Sequence, residues 1–167
     1  MTEPDGMNQP LGAALRRAWV GYQRRMDHEM AAAGFGDRRF PDGRVLRICA
    51  RSDDVTISKI GRELGITRQG ASKVVAGLRL RKYVTVNPSA TSGREKFVQL
   101  TPLAVEYLGA LRTAARTIER DLRLELGDER VDSLRLLLDA LGGEDQPLLR
   151  DYLRRASHLR RFDGTED

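Results

Sequence analysis

The amino-acid sequence predicts a mainly α fold in which a helix-turn-helix unit and a two-stranded β-hairpin sit between long outer helices. Three observations carry this reading. Apolar residues recur at helical spacing toward both ends, a helix-glycine-helix pattern lies between Thr56 and Leu78, and alternation replaces it between Tyr83 and Leu100. With 167 residues, 40% hydrophobic and 32% charged, the chain suits one globular domain, or one domain with appended helices.

After a polar tail, Leu11, Leu15, Trp19, Tyr22, Met26 and Met30 follow one another at spacings of three and four, which predicts a long amphipathic helix to about Ala33. Gly34-Phe35-Gly36 breaks it, the turn formers from Asp37 to Gly43 predict a loop, and Val45, Leu46, Ile48 and Cys49 predict a short buried helix. Two helices follow, the first carrying Ile57, Ile60 and Leu64, the second Ala71, Val74, Val75 and Leu78. Tyr83 to Val86 and Lys96 to Leu100 then read as strands, joined by a polar loop from Asn87 to Arg94. Thr101 and Pro102 supply an N-cap and a first-turn proline for a helix that continues through Leu103, Tyr107, Leu111, Ile118 and Leu126 and stops at Gly127. Val131, Leu134, Leu137, Leu138 and Leu141 form one more, ending at Gly142-Gly143, and Pro147 precedes a short stretch to Leu153.

Several function classes fall away at this level. No run of eighteen apolar residues occurs, and the acidic opening Met1-Thr2-Glu3-Pro4-Asp5-Gly6 lacks the basic start and apolar stretch of a signal peptide, so a cytoplasmic protein without a membrane partner is expected. Cys49 is the single cysteine and His28 and His158 are far apart, which excludes a disulfide framework and a clustered zinc site; no metal and no cofactor are expected. Cys49 stands between Ile48 and Ala50, where a thiol is buried and inert. There is no phosphate-cradling glycine loop and no local histidine-containing constellation, so catalysis is not expected.

Thr56 to Ser72 carries the candidate chemistry. Thr67 is a natural N-cap, and at about 100° per residue Ala71, Val74, Val75 and Leu78 share one face of the following helix while Gln69, Ser72, Lys73 and Ala76 share the other. Amide, hydroxyl and guanidinium groups near a helix N-terminus are what a major groove requires. Thr67, Arg68, Gln69 and Ser72 are so placed; Arg68 suits a guanine edge or a phosphate, Gln69 an adenine edge, and Lys73, further along, a phosphate. A solvated polar face would carry the same residues, and the charge map separates the two readings. From Lys59 to Lys96 there are nine basic residues against Glu63 and Glu95, a net +7, whereas the rest of the chain has 20 basic and 22 acidic. Lys96 opens the second strand on this basic stretch. Arg94, at the distal end of the hairpin, is placed to enter a narrow minor groove, although a lone loop arginine is by default solvated.

Taken together, Ile60-Gly61-Arg62-Glu63-Leu64-Gly65-Ile66-Thr67-Arg68-Gln69-Gly70-Ala71-Ser72, then Leu78, Tyr83-Val84 and Val98-Gln99-Leu100-Thr101-Pro102, resemble the MarR family of winged helix-turn-helix regulators. The similarity spans about residues 11–141. Two positions depart from the family pattern. Lys82 replaces the glycine that commonly leads into the wing, which implies a left-handed residue strained by about 1 kcal/mol. The wing keeps Arg94 but lacks the aspartate of the usual Asp-x-Arg.

The resemblance implies a winged helix-turn-helix with a two-stranded β-wing and N- and C-terminal dimerisation helices. In residue ranges it implies a flexible tail over 1–10, a dimerisation helix over 11–34, a DNA-binding lobe over 44–101, C-terminal dimerisation helices over 102–158, and a second tail over 159–167. It further implies a homodimer that binds double-stranded DNA at a pseudo-palindromic operator as a transcriptional regulator, most simply a repressor. Relatives that bind small aromatic effectors would place that pocket at Trp19, Tyr22, Met26, Phe40 and Arg47. By spacing alone, the Trp/Tyr/Met stripe is the ordinary pattern of a core or a dimer interface. Redox-sensing relatives use a cysteine in the first helix, where this chain has none. The remaining alternative is a winged-helix module that binds protein or RNA without reading duplex sequence.

Overall fold

A computed structural model describes residues 10–88 and 96–143. The elements are α1 (Leu11–Ala32), α2 (Asp42–Cys49), α3 (Ile57–Leu64), α4 (Arg68–Leu80), β1 (Val84–Pro88), β2 (Lys96–Leu100), α5 (Pro102–Leu126) and α6 (Asp128–Gly142). The tail over 1–9, the hairpin connection including Arg94, the stretch from Pro147 to Leu153, and everything else beyond Gly143 lie outside the described residues.

Local signals set most boundaries. Thr56, Thr67 and Thr101 each hold extended backbone and accept, through the side-chain oxygen, the N–H of Lys59 at 3.2 Å, Gly70 at 3.1 Å and Ala104 at 3.3 Å respectively. Gly65 closes α3 at φ 66°, a left-handed conformation that costs a glycine nothing and reverses the chain into α4 within three residues. Pro102 opens α5, and Gly127 separates it from α6.

Two boundaries differ from the sequence reading. The loop expected through Gly43 ends earlier, because α2 starts at Asp42: Pro41 presets the turn, and the Asp42 carboxylate accepts the Arg39 N–H at 2.9 Å beside the helix N-terminus. The first strand, expected from Tyr83 to Val86, instead runs to Pro88. Asn87 pairs with Phe97 and Pro88 with Lys96 in an antiparallel ladder, and Asn87 Nδ2 donates to Gln99 Oε1 at 2.9 Å. Pro88 is tolerated because it stands at the strand end. Tyr83 leaves the ladder for the core, while its carbonyl accepts the Thr101 N–H at 3.1 Å.

One continuous core joins the elements. Met26 and Met30 of α1 and Tyr107, Leu108, Ala114 and Ile118 of α5 meet Val45, Leu46 and Ile48 of α2, which in turn contact Ile60, Leu64, Val75 and Leu78 of the helical pair and Val84 and Val98 of the hairpin. Each fully buried aliphatic side chain of this kind is worth roughly 1.5–3 kcal/mol. The sheet is tied to the helical pair by the Val98 N–H, which donates to the Val55 carbonyl at 2.8 Å. Outside this core, α6 buries only Val131 and exposes Leu134, Leu136, Leu137, Leu138 and Leu141. No helix among the described residues is long and apolar enough to cross a membrane. Cys49 is buried, and desolvation pushes its thiol up to about 11, so at neutral pH it is not a thiolate.

Among the described residues Lys82 is the one non-glycine at positive φ, 65°. Its carbonyl accepts the Thr101 hydroxyl at 2.7 Å, which fixes the entry to the wing against the strain. Lys82→Gly is expected to stabilise the fold by about 1 kcal/mol, a rise of roughly 2–4 °C in thermal midpoint. A midpoint that stays or falls would show that the left-handed backbone is not strained.

Candidate nucleic-acid interface

The spacing that put two faces on α4 is realised. Ala71, Val75 and Leu78 are buried against the core, while Thr67, Arg68, Gln69, Ser72, Lys73 and Ala76 are exposed. A close approach holds α4 to α3: a Cβ on Gly61 would sit 3.2 Å from the Ile66 carbonyl oxygen and 3.5 Å from Ala71 Cβ. The first turn of α4 therefore presents its side chains from a rigid base, with unpaired backbone N–H groups and the positive end of the helix dipole on the same side. Lys96 is exposed at the start of β2. Arg94 falls outside the described residues.

Arg81 departs from the charge map. Counted among the basic residues of this stretch, it is turned inward, its side chain 14% exposed, with Nη1 at 2.6 Å from Asp42 Oδ2 and Nη2 at 2.7 Å from Asp42 Oδ1. Asp42 is 1% exposed and is the one buried charged residue of the described chain. Arg81 Nε also donates to the Gly77 carbonyl, Nη1 donates to the Asp37 carbonyl, both at 3.2 Å, and the guanidinium lies 5.4 Å from the centre of the Tyr83 ring. Hydrogen bonding to Asp42 holds the guanidinium's affinity for its proton above the ordinary value. This pair was not legible in the sequence: its members are 39 residues apart and Asp42 sits among turn formers.

On the other side of α2, Trp19, Tyr22, Met26, Phe40 and Arg47 are brought together around one cavity of about 340 Å³ between α1, α2 and α5. Trp19 stacks on Tyr22 with ring centres 6.2 Å apart, and Phe40 meets Trp19 edge-on at 6.1 Å. Trp19 and Phe40 remain 44% and 41% exposed, so the stripe is not simply the core of this chain. Arg38, Arg44 and Arg112 join Arg47 in the lining, and no carboxylate among the described residues lines it. Arg38 is anchored by Asp27 Oδ1 and Gln23 Oε1, each at 2.7 Å.

At the inner end of this cavity stands Tyr107, fully buried, its ring packed at 5.3 Å from Phe35 and 5.0 Å from Tyr83. Its hydroxyl has no hydrogen-bond partner, whereas the Tyr83 hydroxyl donates to Asp37 Oδ1 at 2.8 Å. Burial pushes both phenols well above their ordinary range. Among the described residues no group of three or more His, Cys, Asp or Glu side chains could hold a metal ion.

A buried hydroxyl without a partner carries a desolvation cost of about 1–3 kcal/mol. Tyr107→Phe is accordingly expected to leave the free protein as stable or more stable by about 1 kcal/mol in denaturant titration. A loss larger than 1 kcal/mol would reveal a partner for the hydroxyl.

Residues 38–95 match the family model described as MarR family. No curated protein matches the chain in sequence. Among solved structures, the transcriptional repressor CouR bound to a 23-mer DNA duplex aligns with TM-score 0.65 and 21% identity over 86% of this chain and 99% of that one. MepR from S. aureus in complex with DNA aligns with TM-score 0.61 and 19% identity over 76% and 93%. BpsR of Bordetella bronchiseptica, whose DNA binding is regulated by 6-hydroxynicotinic acid, aligns with TM-score 0.61 and 17% identity over 86% and 100%. At these identities the alignments speak to the fold, and the family match covers the helix-turn-helix and the entry to the wing. With its capped helical pair, antiparallel wing and outer helices, the chain has the winged-helix fold of these structures, and its residues 38–95 are similar to the MarR family.

Proposed function

We propose that this protein is a cytoplasmic, sequence-specific regulator that represses by occupying a pseudo-palindromic operator as a homodimer, and that a small aromatic effector releases it. The observation that carries the reading is the outward face of α4. Polar, base-sized side chains stand exposed on its first two turns, above a buried apolar face that fixes their direction. Thr67, Arg68, Gln69 and Ser72 read base edges, Lys73 and Lys96 hold phosphates, and Arg94, from the segment between β1 and β2, reaches the minor groove.

The dimer reading is supported by the exposed leucines of α6 and by Leu11 and Val20 of α1, a spread of apolar surface that one copy leaves in water. Residues 11–34 and 102–158 form the dimerising layer and 44–101 the reading lobe. Two such lobes address half-sites about 34 Å apart. The effector reading is supported by the stacked Trp19 and Tyr22 beside Phe40 and by the lining guanidinium groups of Arg44, Arg47 and Arg112, next to Arg38 with its Asp27 partner, which favour a flat ligand that bears negative charge.

Gln69→Ala and Ser72→Ala are each expected to lower discrimination between operator and random duplex by about 1–3 kcal/mol, and Lys73→Ala to weaken both alike while reducing the salt slope by about 1. Competition binding over a salt series measures all three. Equal losses on operator and random duplex for the first two would sink their base-reading role. Binding to single-stranded RNA in preference to any duplex would favour an interaction module instead.

A further inference from the structure

The aromatic cavity and the C-terminal end of α4, the helix proposed to read DNA with its first turns, approach each other at the first turn of α2. Phe40, Gly43 and Arg44 line the cavity, and Asp42, between them, points the opposite way onto Arg81 at the C-cap of α4. Gly43 lies against α5 so closely that a Cβ there would stand 2.7 Å from Leu111 Cδ1. The start of α2 is therefore seated on the Leu111 side chain of α5, and neighbouring Cα atoms are held about 3.8 Å apart by covalent geometry, so a displacement of residue 43 carries residue 42 with it.

We propose that Asp42 and Arg81 are positioning residues that tie the setting of α4 to the spacing between α2 and α5, so that filling the cavity is felt at the DNA-facing surface through this ion pair. The inference rests on reading α4 as the DNA-reading helix. A two-pronged, water-excluded guanidinium-carboxylate contact suits the task, because it is directional and because separating its members strands a buried charge. Under displacement the pair moves as a unit rather than stretching. Arg81 also fastens to Gly77 and Asp37, so the end of α4 and the connection before α2 shift together with it.

The test is equilibrium binding of the full chain to its best duplex, taken from a random pool, with far-UV circular dichroism melts on every variant. Gly43→Ala sets a methyl against Leu111 Cδ1, so either that side chain turns into the cavity or α2 is pushed off α5, and the coupling predicts at least tenfold lower duplex affinity. Adding Leu111→Ala removes the atom that the new methyl strikes and is expected to bring affinity back to within threefold, which a merely packed role for Gly43 does not predict. Asp42→Asn alone is expected to lose about tenfold, and Gly43→Ala in that background less than twofold more. If Asp42→Asn melts below the assay temperature, Arg81→Lys, which keeps the charge and loses the fork, replaces it in both arms. Wild-type affinity in the clamp variant, or an undiminished Gly43→Ala loss in its background, overturns the coupling alone. Failure of the wild-type chain to bind any duplex overturns the DNA reading and the coupling with it.

Discussion

Asp42 is the first residue of α2 and is almost fully removed from water, which a carboxylate tolerates only with strong partners. Arg81 supplies two donors in one plane and the Arg39 N–H a third, at 2.6, 2.7 and 2.9 Å. The effective cost of burying each charge is several kcal/mol, so such a pair adds little net stability, but it strongly disfavours any arrangement in which its members part. Its consequence is geometric. The C-terminus of α4, the left-handed Lys82 and the start of β1 all follow within a few residues of Arg81, so the helix, the wing and α2 are held in one frame.

Around this frame the molecule divides its tasks by surface. The outward turn of α4 is small, polar and basic, the cavity between α1, α2 and α5 is aromatic and cationic, and α6 is aliphatic and exposed. Between α5 and α6 a separate network forms: Arg123 reaches Asp132 at 2.6 Å and Glu119 and Asp128 at 3.1 Å, and Arg135 meets Glu119 at 2.7 Å. These contacts hold the Glu119 and Asp132 carboxyls below their ordinary range, with Arg135 the first cause for Glu119 and Arg123 for Asp132. Being solvent-exposed, they orient α6 more than they stabilise it, and they leave its leucines facing away from this chain.

Much of the architecture was legible because it is written locally. Threonine caps, Gly65 and Gly127, and the change of period from 3.6 to 2 mark element ends without reference to anything distant. The positive φ of Lys82 followed from family resemblance rather than from composition. What was not legible depends on contacts across the chain. Asp42 belongs by sequence to a turn, and the partner that lets its carboxylate be buried, Arg81, arrives from 39 residues along the chain. Tyr83 alternates like a strand residue, yet its ring is claimed by Phe35 and Tyr107. The cavity residues were assembled from resemblance, while Arg44 of α2 and Arg112 of α5, which join Arg47 in giving it its charge, and Arg38 of the connection before α2 share no pattern in the sequence.

The measurement that bears most directly on this account is selection from a random pool of duplex DNA by the purified protein, followed by titration of the winning sequence across a salt series. The account predicts an enriched inverted repeat with half-sites about one helical turn apart and affinity that falls steeply with salt. No enrichment, with only weak salt-sensitive binding to every duplex alike, would contradict it.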